Sequence, residues 1–133
     1  MLFRSAGYYV EPTLVEAKPG ARVSNEEVFG PFVVVSRFKT DEEALEIANG
    51  TEYGLGGGLW TSNLSRAHLI ARQMKSGMVW INCYKRVNPA SPFGGVGSSG
   101  YGREMGFEAM HQYTEAKSVW VNVDANIPPY YPR

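Results

Sequence analysis

The sequence predicts an α/β fold: a parallel sheet with βαβαβ crossovers. Three observations predict it. Apolar runs of strand length alternate with stretches of helical periodicity, in the order strand, helix, strand, helix, strand. The joins between them are short, as in sheets whose strands are linked by right-handed crossovers. The last of the five, Met78-Val79-Trp80-Ile81-Asn82-Cys83, is apolar on both faces over most of its length, which suits a strand covered on both sides.

Taken in order, residues 1–7 carry no structural signal. Tyr8-Tyr9-Val10 and Thr13-Leu14-Val15 are short β-prone runs broken by Pro12, a pattern for a bend or a sheet edge. Residues 18–24 are polar with Pro19-Gly20, a turn. Glu26-Glu27-Val28-Phe29 follows, closed by Gly30-Pro31, and the run behind it predicts a strand over 32–38. Thr40-Asp41-Glu42-Glu43 is a capping box, with Glu43 reaching back to Thr40 and the acids facing the positive helix end. Ala44, Leu45 and Ala48 form the apolar stripe, and Asn49-Gly50 closes the helix. The next strand spans 53–60 and contains Gly56-Gly57-Gly58, a sign of close backbone approach. Thr61-Ser62-Asn63 caps a second helix with Leu64, Ala67, Ala71 and Met74 at helical spacing, ended by Gly77. After the third strand, residues 84–102 form a loop rich in Gly, Ser and Pro, a length more often functional than connective. A short helix over 107–112 and a last strand over 117–123, with Val119, Val121 and Val123 on one face, complete the set. The Pro-rich tail from Ile127 suits a surface. There is no internal repeat and no domain linker.

The totals exclude several classes. Thirteen basic and thirteen acidic residues cancel, so nothing in the charge favours nucleic acid or an anionic membrane. No apolar run approaches a bilayer span, and Met1-Leu2-Phe3-Arg4 is too short for a signal peptide. A single cysteine, Cys83, rules out an internal disulfide and a Cys-cluster metal site, and fits a reducing, cytoplasmic compartment. At 133 residues the chain has room for one small domain with a modest core.

Several residues invite a chemical reading. The carboxylates of Glu26 and Glu27 resist burial unless paired, so the acidic turn is either a ligand site at a strand mouth or a solvated turn. Gly95-Val96-Gly97-Ser98-Ser99-Gly100 spells a dinucleotide fingerprint, but no strand leads into it and no helix opens from it. It reads as an active-site loop. Cys83 closes an apolar strand, which favours a buried, inert thiol over a nucleophile. His68 and His111 lack ligand spacing and read as surface or packing residues. Glu104, at a helix start, suits the helix dipole. Phe93 either packs in the core or walls a pocket.

Three stretches together resemble one family. Glu26-Glu27-Val28-Phe29-Gly30-Pro31, then Pro92-Phe93-Gly94-Gly95 with Ser99-Gly100-Tyr101-Gly102-Arg103-Glu104, then Tyr113-Thr114-Glu115-Ala116-Lys117, are similar in order and spacing to segments of the NAD(P)-dependent aldehyde dehydrogenases. The strand from Gly77 to Cys83 fits as well. The likeness runs from about Gly7 to Val123 and corresponds to the C-terminal part of such an enzyme. In that family a cysteine thiolate attacks an aldehyde, hydride passes to the nicotinamide, and a glutamate-activated water hydrolyses the thioester.

The resemblance implies roles. Glu27 would bind the nicotinamide-ribose hydroxyls of NAD or NADP, since a carboxylate accepts from both hydroxyls of a diol, and Phe29 would pack beside the nicotinamide. Phe93 would wall the substrate channel, with Val87 on the same loop. Glu104 would be a buried acid near the water path. Residues 1–116 would belong to the catalytic domain and 117–133 to an oligomerisation strand and tail, making the whole enzyme a homo-oligomer. The family's catalytic cysteine follows a Gly-Gln motif absent from this chain, and Cys83 does not match it. Gly56-Gly57-Gly58 stands where many members carry alanine or larger. The expectation is therefore an aldehyde dehydrogenase fragment without turnover of its own, the alternative being a non-catalytic module that self-associates through 117–123. No metal is expected.

Overall fold

The computed structural model describes residues 7–123. Its elements run β1 (Thr13–Glu16), α1 (Arg22–Asn25), β2 (Phe32–Val35), α2 (Asp41–Asn49), β3 (Tyr53–Gly54), β4 (Gly56–Leu59), α3 (Leu64–Gln73), β5 (Met78–Ile81), β6 (Val96–Gly97) and a 3-10 helix (Phe107–Gln112).

The helices start where their caps predict. Thr40 Oγ1 accepts from the Glu43 N–H at 3.2 Å, and Glu43 Oε2 accepts from the Lys39 N–H at 2.7 Å, one residue before the expected partner. Asn63 Oδ1 accepts from the Arg66 N–H at 3.0 Å and opens α3. Asn49 clamps the far ends of both helices, donating to the Gln73 carbonyl and accepting from the Lys75 N–H. Asp41 and Arg66 bridge their near ends.

The sheet corrects the expectation of one continuous ladder. β1 and β2 pair in parallel, β4 and β5 pair in parallel, and β3 pairs antiparallel with β6. The β4–α3–β5 unit is a parallel crossover as predicted. The α2 crossover instead joins strands of separate ladders, and a cleft of about 720 Å³ lies between them. The predicted strand over 53–60 splits at Leu55, because Gly54 turns toward the 76–77 backbone: its carbonyl accepts from the Gly77 N–H at 3.0 Å. The chain over 117–123 forms no strand. No neighbour among the described residues offers it a ladder, and Val119, Trp120, Val121 and Val123 all stand exposed.

The packing explains the three glycines. A β-carbon at Gly56 would fall 2.7 Å from the Trp80 ring, one at Gly57 would fall 2.1 Å from the Met74 sulfur, and one at Gly58 would fall 2.9 Å from the Tyr84 ring. Large side chains from the helix and the neighbouring segments occupy the space that alanine would take. Trp80 and Tyr84 then meet edge to face at 5.1 Å, and Trp80 Nε1 donates to the Arg86 carbonyl.

The core is thin. Ala67, on the α3 face turned toward β5, is 1% exposed and is the one buried hydrophobic residue among those described. The α3 stripe consists of Ala67, Ile70, Ala71 and Met74; Leu64, expected in it, is exposed. β2 alternates half-buried Phe32 and Val34 with exposed Val33 and Val35, so only one of its faces is covered. The accessible surface is 11853 Å² for 14.7 kDa, where a folded monomer of that mass exposes roughly 6,900 Å².

Candidate functional site

The expected site residues fall on two neighbouring regions. α1 ends at Asn25, and the backbone continues extended through Glu26 (φ −81°, ψ 138°) to the Gly30 turn. This geometry separates the two carboxylates. Glu26 folds back and accepts from Arg22 Nε at 2.6 Å, an exposed pair worth at most about 1 kcal/mol. Glu27 has no ion pair or hydrogen bond among the described residues and is exposed. It borders a cavity of about 370 Å³ between the acidic turn and the strand segment 53–58, which Ser99 also reaches. Phe29 projects from the same turn and is 94% exposed.

Phe93 and Val87 lie together on a second cavity of about 410 Å³, floored by β5 residues and closed by Pro92 and Arg103. Backbone pairing fixes Phe93: it and Glu104 exchange N–H···O=C bonds of 2.6 and 2.7 Å. Arg103 locks the intervening loop, donating from Nη1 to the carbonyls of Gly95 and Gly102. The Gln112 side chain donates to the Arg103 carbonyl and ties the 3-10 helix to it. Phe93 is half-buried, Val87 exposed. The structure thus unites Phe93 with Val87, and places Glu27 and Phe29 on the neighbouring turn.

Glu104 departs from expectation. The resemblance implied a buried acid, and here it is exposed, because it pairs only through its backbone and no described element covers its side chain. It precedes Met105 and Gly106, both with positive φ, so it does not stand at the start of the 3-10 helix, which runs over Phe107–Gln112 as the sequence predicts. Cys83 is half-buried, less enclosed than a core thiol. His68 is exposed, and His111 stacks edge-on against Phe107. Among the described residues no group of three His, Cys, Asp or Glu side chains could hold a metal, and no helix is long and apolar enough to cross a membrane.

The glycine-rich loop behaves as a positioned turn. β6 pairs with β3, the Ser98 N–H donates to the Glu52 carbonyl, and the Ser99 hydroxyl accepts from the Gly54 N–H at 3.0 Å. No helix opens at Gly100, as the reading against a dinucleotide fingerprint expects. Ser99 and Arg103 were not singled out for these jobs, since hydrogen bonds between distant segments leave no local pattern. Asn82 did leave a signal. It sits at φ 55°, which asparagine tolerates better than most residues, and exchanges two hydrogen bonds with the Thr61 backbone.

The model of the aldehyde dehydrogenase family matches residues 3–119. A putative aldehyde dehydrogenase of Bacillus subtilis, DhaS, is 48% identical over 120 residues, which are 90% of this chain and 24% of that protein. The NADP/NAD-dependent aldehyde dehydrogenase PuuC of Escherichia coli is 44% identical over 117 residues, 87% of this chain and 24% of its own length. Among solved structures, PnpE from Pseudomonas sp. WBC-3 superposes with a TM-score of 0.85 at 74% identity, covering 94% of this chain and 26% of PnpE. PnpE has also been solved in complex with nicotinamide adenine dinucleotide, with a TM-score of 0.84 at 72% identity and coverage of 96% and 26%. The chain therefore spans about a quarter of the length of the relatives it matches. With residues 3–119 matched by the family model, this chain belongs to the aldehyde dehydrogenase family.

Proposed function

We propose that the chain supplies the nicotinamide-ribose contact and one wall of the substrate passage in an NAD(P)-dependent aldehyde dehydrogenase that oxidises an aldehyde to a carboxylic acid. The observation that carries this reading is the contrast between Glu26 and Glu27. Both border the same cavity, but Glu26 is engaged by Arg22 in an exposed pair, while Glu27 is unpaired among the described residues and faces solvent. An unpaired carboxylate has acceptor capacity for both hydroxyls of a ribose, so the donor set fits the cofactor. Phe29, exposed on the same turn, offers an apolar face to a nicotinamide ring. The cofactor's contribution when bound is hydride acceptance.

The remaining roles belong to this chain's own groups. Phe93 and Val87 supply apolar surface to one side of the second cavity, and the Arg103 clamp keeps the loop that carries Phe93 in place. Glu104 is the acid nearest this loop in sequence, and the buried position near the water path that the resemblance implies for it needs cover from outside the described residues. No thiolate motif of the family is present, and Cys83 lies two residues beyond β5, outside the lining of either cavity. The chain therefore binds and orients without carrying out the covalent step. The test is an aldehyde-dependent assay for reduced nicotinamide on the purified chain. No turnover is expected, and activity abolished by Cys83→Ala would overturn the reading.

The exposed row Val119, Trp120, Val121 and Val123 favours a further role in self-association, with a homo-oligomer as the whole enzyme's state. Light scattering across a concentration series tests it: Val121→Lys should shift the mass toward monomer, and a concentration-independent monomer in the parent chain would count against it. A cytoplasmic location is consistent with the single cysteine.

A further inference from the structure

Asn49 ends α2, and Gly50 follows it in the one Asn-Gly step of the sequence. The Asn49 carboxamide is half-buried and engaged at both ends. Its Nδ2 donates to the Gln73 carbonyl at 3.0 Å, and its Oδ1 accepts from the Lys75 N–H at 2.7 Å. Gly50 is exposed, and its N–H donates to the Ile47 carbonyl at 3.2 Å. An Asn-Gly step is open to ring closure between the side chain and the next peptide nitrogen. Glycine puts no β-carbon in the way of that nitrogen and takes up the backbone angles the ring needs. Closure here requires the Asn49 Cγ to turn onto the Gly50 nitrogen, which gives up both bonds to the end of α3. A second link between the helices is the Asp41–Arg66 ion pair at their near ends. Between the two links, Leu45, Ala48, Ile70 and Met74 line the cleft of about 720 Å³.

We propose that Asn49–Gly50 is a spontaneous modification site gated by the docking of α2 on α3. It is shielded while the clamp is closed and converts to aspartate, or to its β-linked isomer, once the clamp opens. Water is the co-reactant. Base removes the Gly50 amide proton, the nitrogen bonds to the Asn49 Cγ, and the Cγ–Nδ2 bond breaks with loss of ammonia. Water then opens the cyclic imide at either of its carbonyl carbons, restoring an amide and leaving a carboxylate, with nothing oxidised or reduced. The product cannot rebuild the clamp. A carboxylate has no N–H for the Gln73 carbonyl, so two acceptors are left facing each other. It also sets a negative charge at the C-terminal end of α2, where the helix dipole is already negative. The β-linked isomer adds a main-chain carbon at the turn into β3. Conversion therefore leaves the far ends of the two helices unclamped and makes a one-way record of their separation.

The test follows the full chain by peptide mapping with mass detection in alkaline buffer, once folded and once in denaturant at the same pH and temperature. In denaturant Asn49 should convert fastest of all the asparagines, and in the folded chain at least about tenfold more slowly than in denaturant. Equal Asn49 rates in the two conditions, or a faster asparagine in denaturant, would overturn the proposal. Arg66→Gln removes the near-end ion pair without touching the clamp. It should speed folded-state conversion at Asn49 about two- to fivefold, the scale of an exposed ion pair; an unchanged rate would overturn the gating by helix docking. Asn49→Asp installs the product directly. Backbone amides in the last turns of α2 and α3 should then exchange hydrogen about tenfold faster than in the parent. Exchange at the parent rate would overturn the one-way step.

Discussion

Gly77 and Gly94 meet backbone to backbone: a β-carbon at 77 would lie 1.8 Å from the Gly94 carbonyl oxygen. This contact seats the loop carrying Phe93 on the start of β5. The obstacle is main chain, so no side-chain rotation relieves it. Gly77→Ala should cost about 1–3 kcal/mol, the range for overpacking, and should loosen the Phe93 loop. Gly57→Ala meets only the flexible Met74 thioether and should cost less, about 1 kcal/mol or under. Denaturant midpoints of the two variants, with limited proteolysis between 84 and 102, check the ordering. Equal midpoints would remove the special status of the 77–94 contact.

The bridge between α2 and α3 predicts a pH dependence. Hydrogen bonding from Arg66 holds the Asp41 carboxyl below its usual value of 3.8. A depressed carboxylate stabilises the fold above its unfolded-state pKa and loses that contribution as pH falls through the lower folded-state value. The parent should therefore lose more thermal stability than Asp41→Asn on going from about pH 5 to about pH 2. Parallel melting curves for the two over that window would show that the bridge contributes nothing to folding.

Glu26 and Glu27 are adjacent and chemically identical, yet their surroundings predict different variants. In a polypeptide that binds the cofactor, Glu27→Gln should weaken NAD binding by about 1.5–3 kcal/mol, the scale of hydrogen bonds to a charged acceptor. Glu26→Gln should leave binding within about 0.5 kcal/mol, because its carboxylate is already held by Arg22 at 2.6 Å. Calorimetric titration with NAD separates them. Equal losses would assign the effect to the charge of the turn as a whole.

The sequence was most legible where the determinants were local. Thr40 and Asn63 marked both helix starts because a cap needs only the next three residues. The Glu26–Phe29 turn was visible because Gly30-Pro31 punctuates it. Pairing between distant strands was not legible: nothing in Phe32–Val35 announces that β2 joins β1 and not β4, since strands pair through backbone N–H and C=O groups that every strand carries. Residues 117–123 carry a strand pattern without a ladder in reach, so their alternation recorded a preference that no described neighbour satisfies. Glu104 was expected to be buried from its motif, but burial depends on what covers a side chain, and that cover is not among the described residues. The glycine triplet ran the other way. Met74, Trp80 and Tyr84 account for it, although their approach could not be read from the triplet itself.

If, as proposed above, this chain contributes binding surfaces and the nucleophile comes from the rest of a longer polypeptide, turnover needs both parts. The most direct measurement is aldehyde-dependent formation of reduced nicotinamide, with acetaldehyde and NAD, by three proteins side by side. These are the chain alone, the chain joined to the unmatched part of DhaS, and the joined form carrying Cys83→Ala. No turnover is expected from the chain alone, and comparable turnover from the two joined forms. Turnover by the chain alone, or its loss from the joined form on Cys83→Ala, would contradict it.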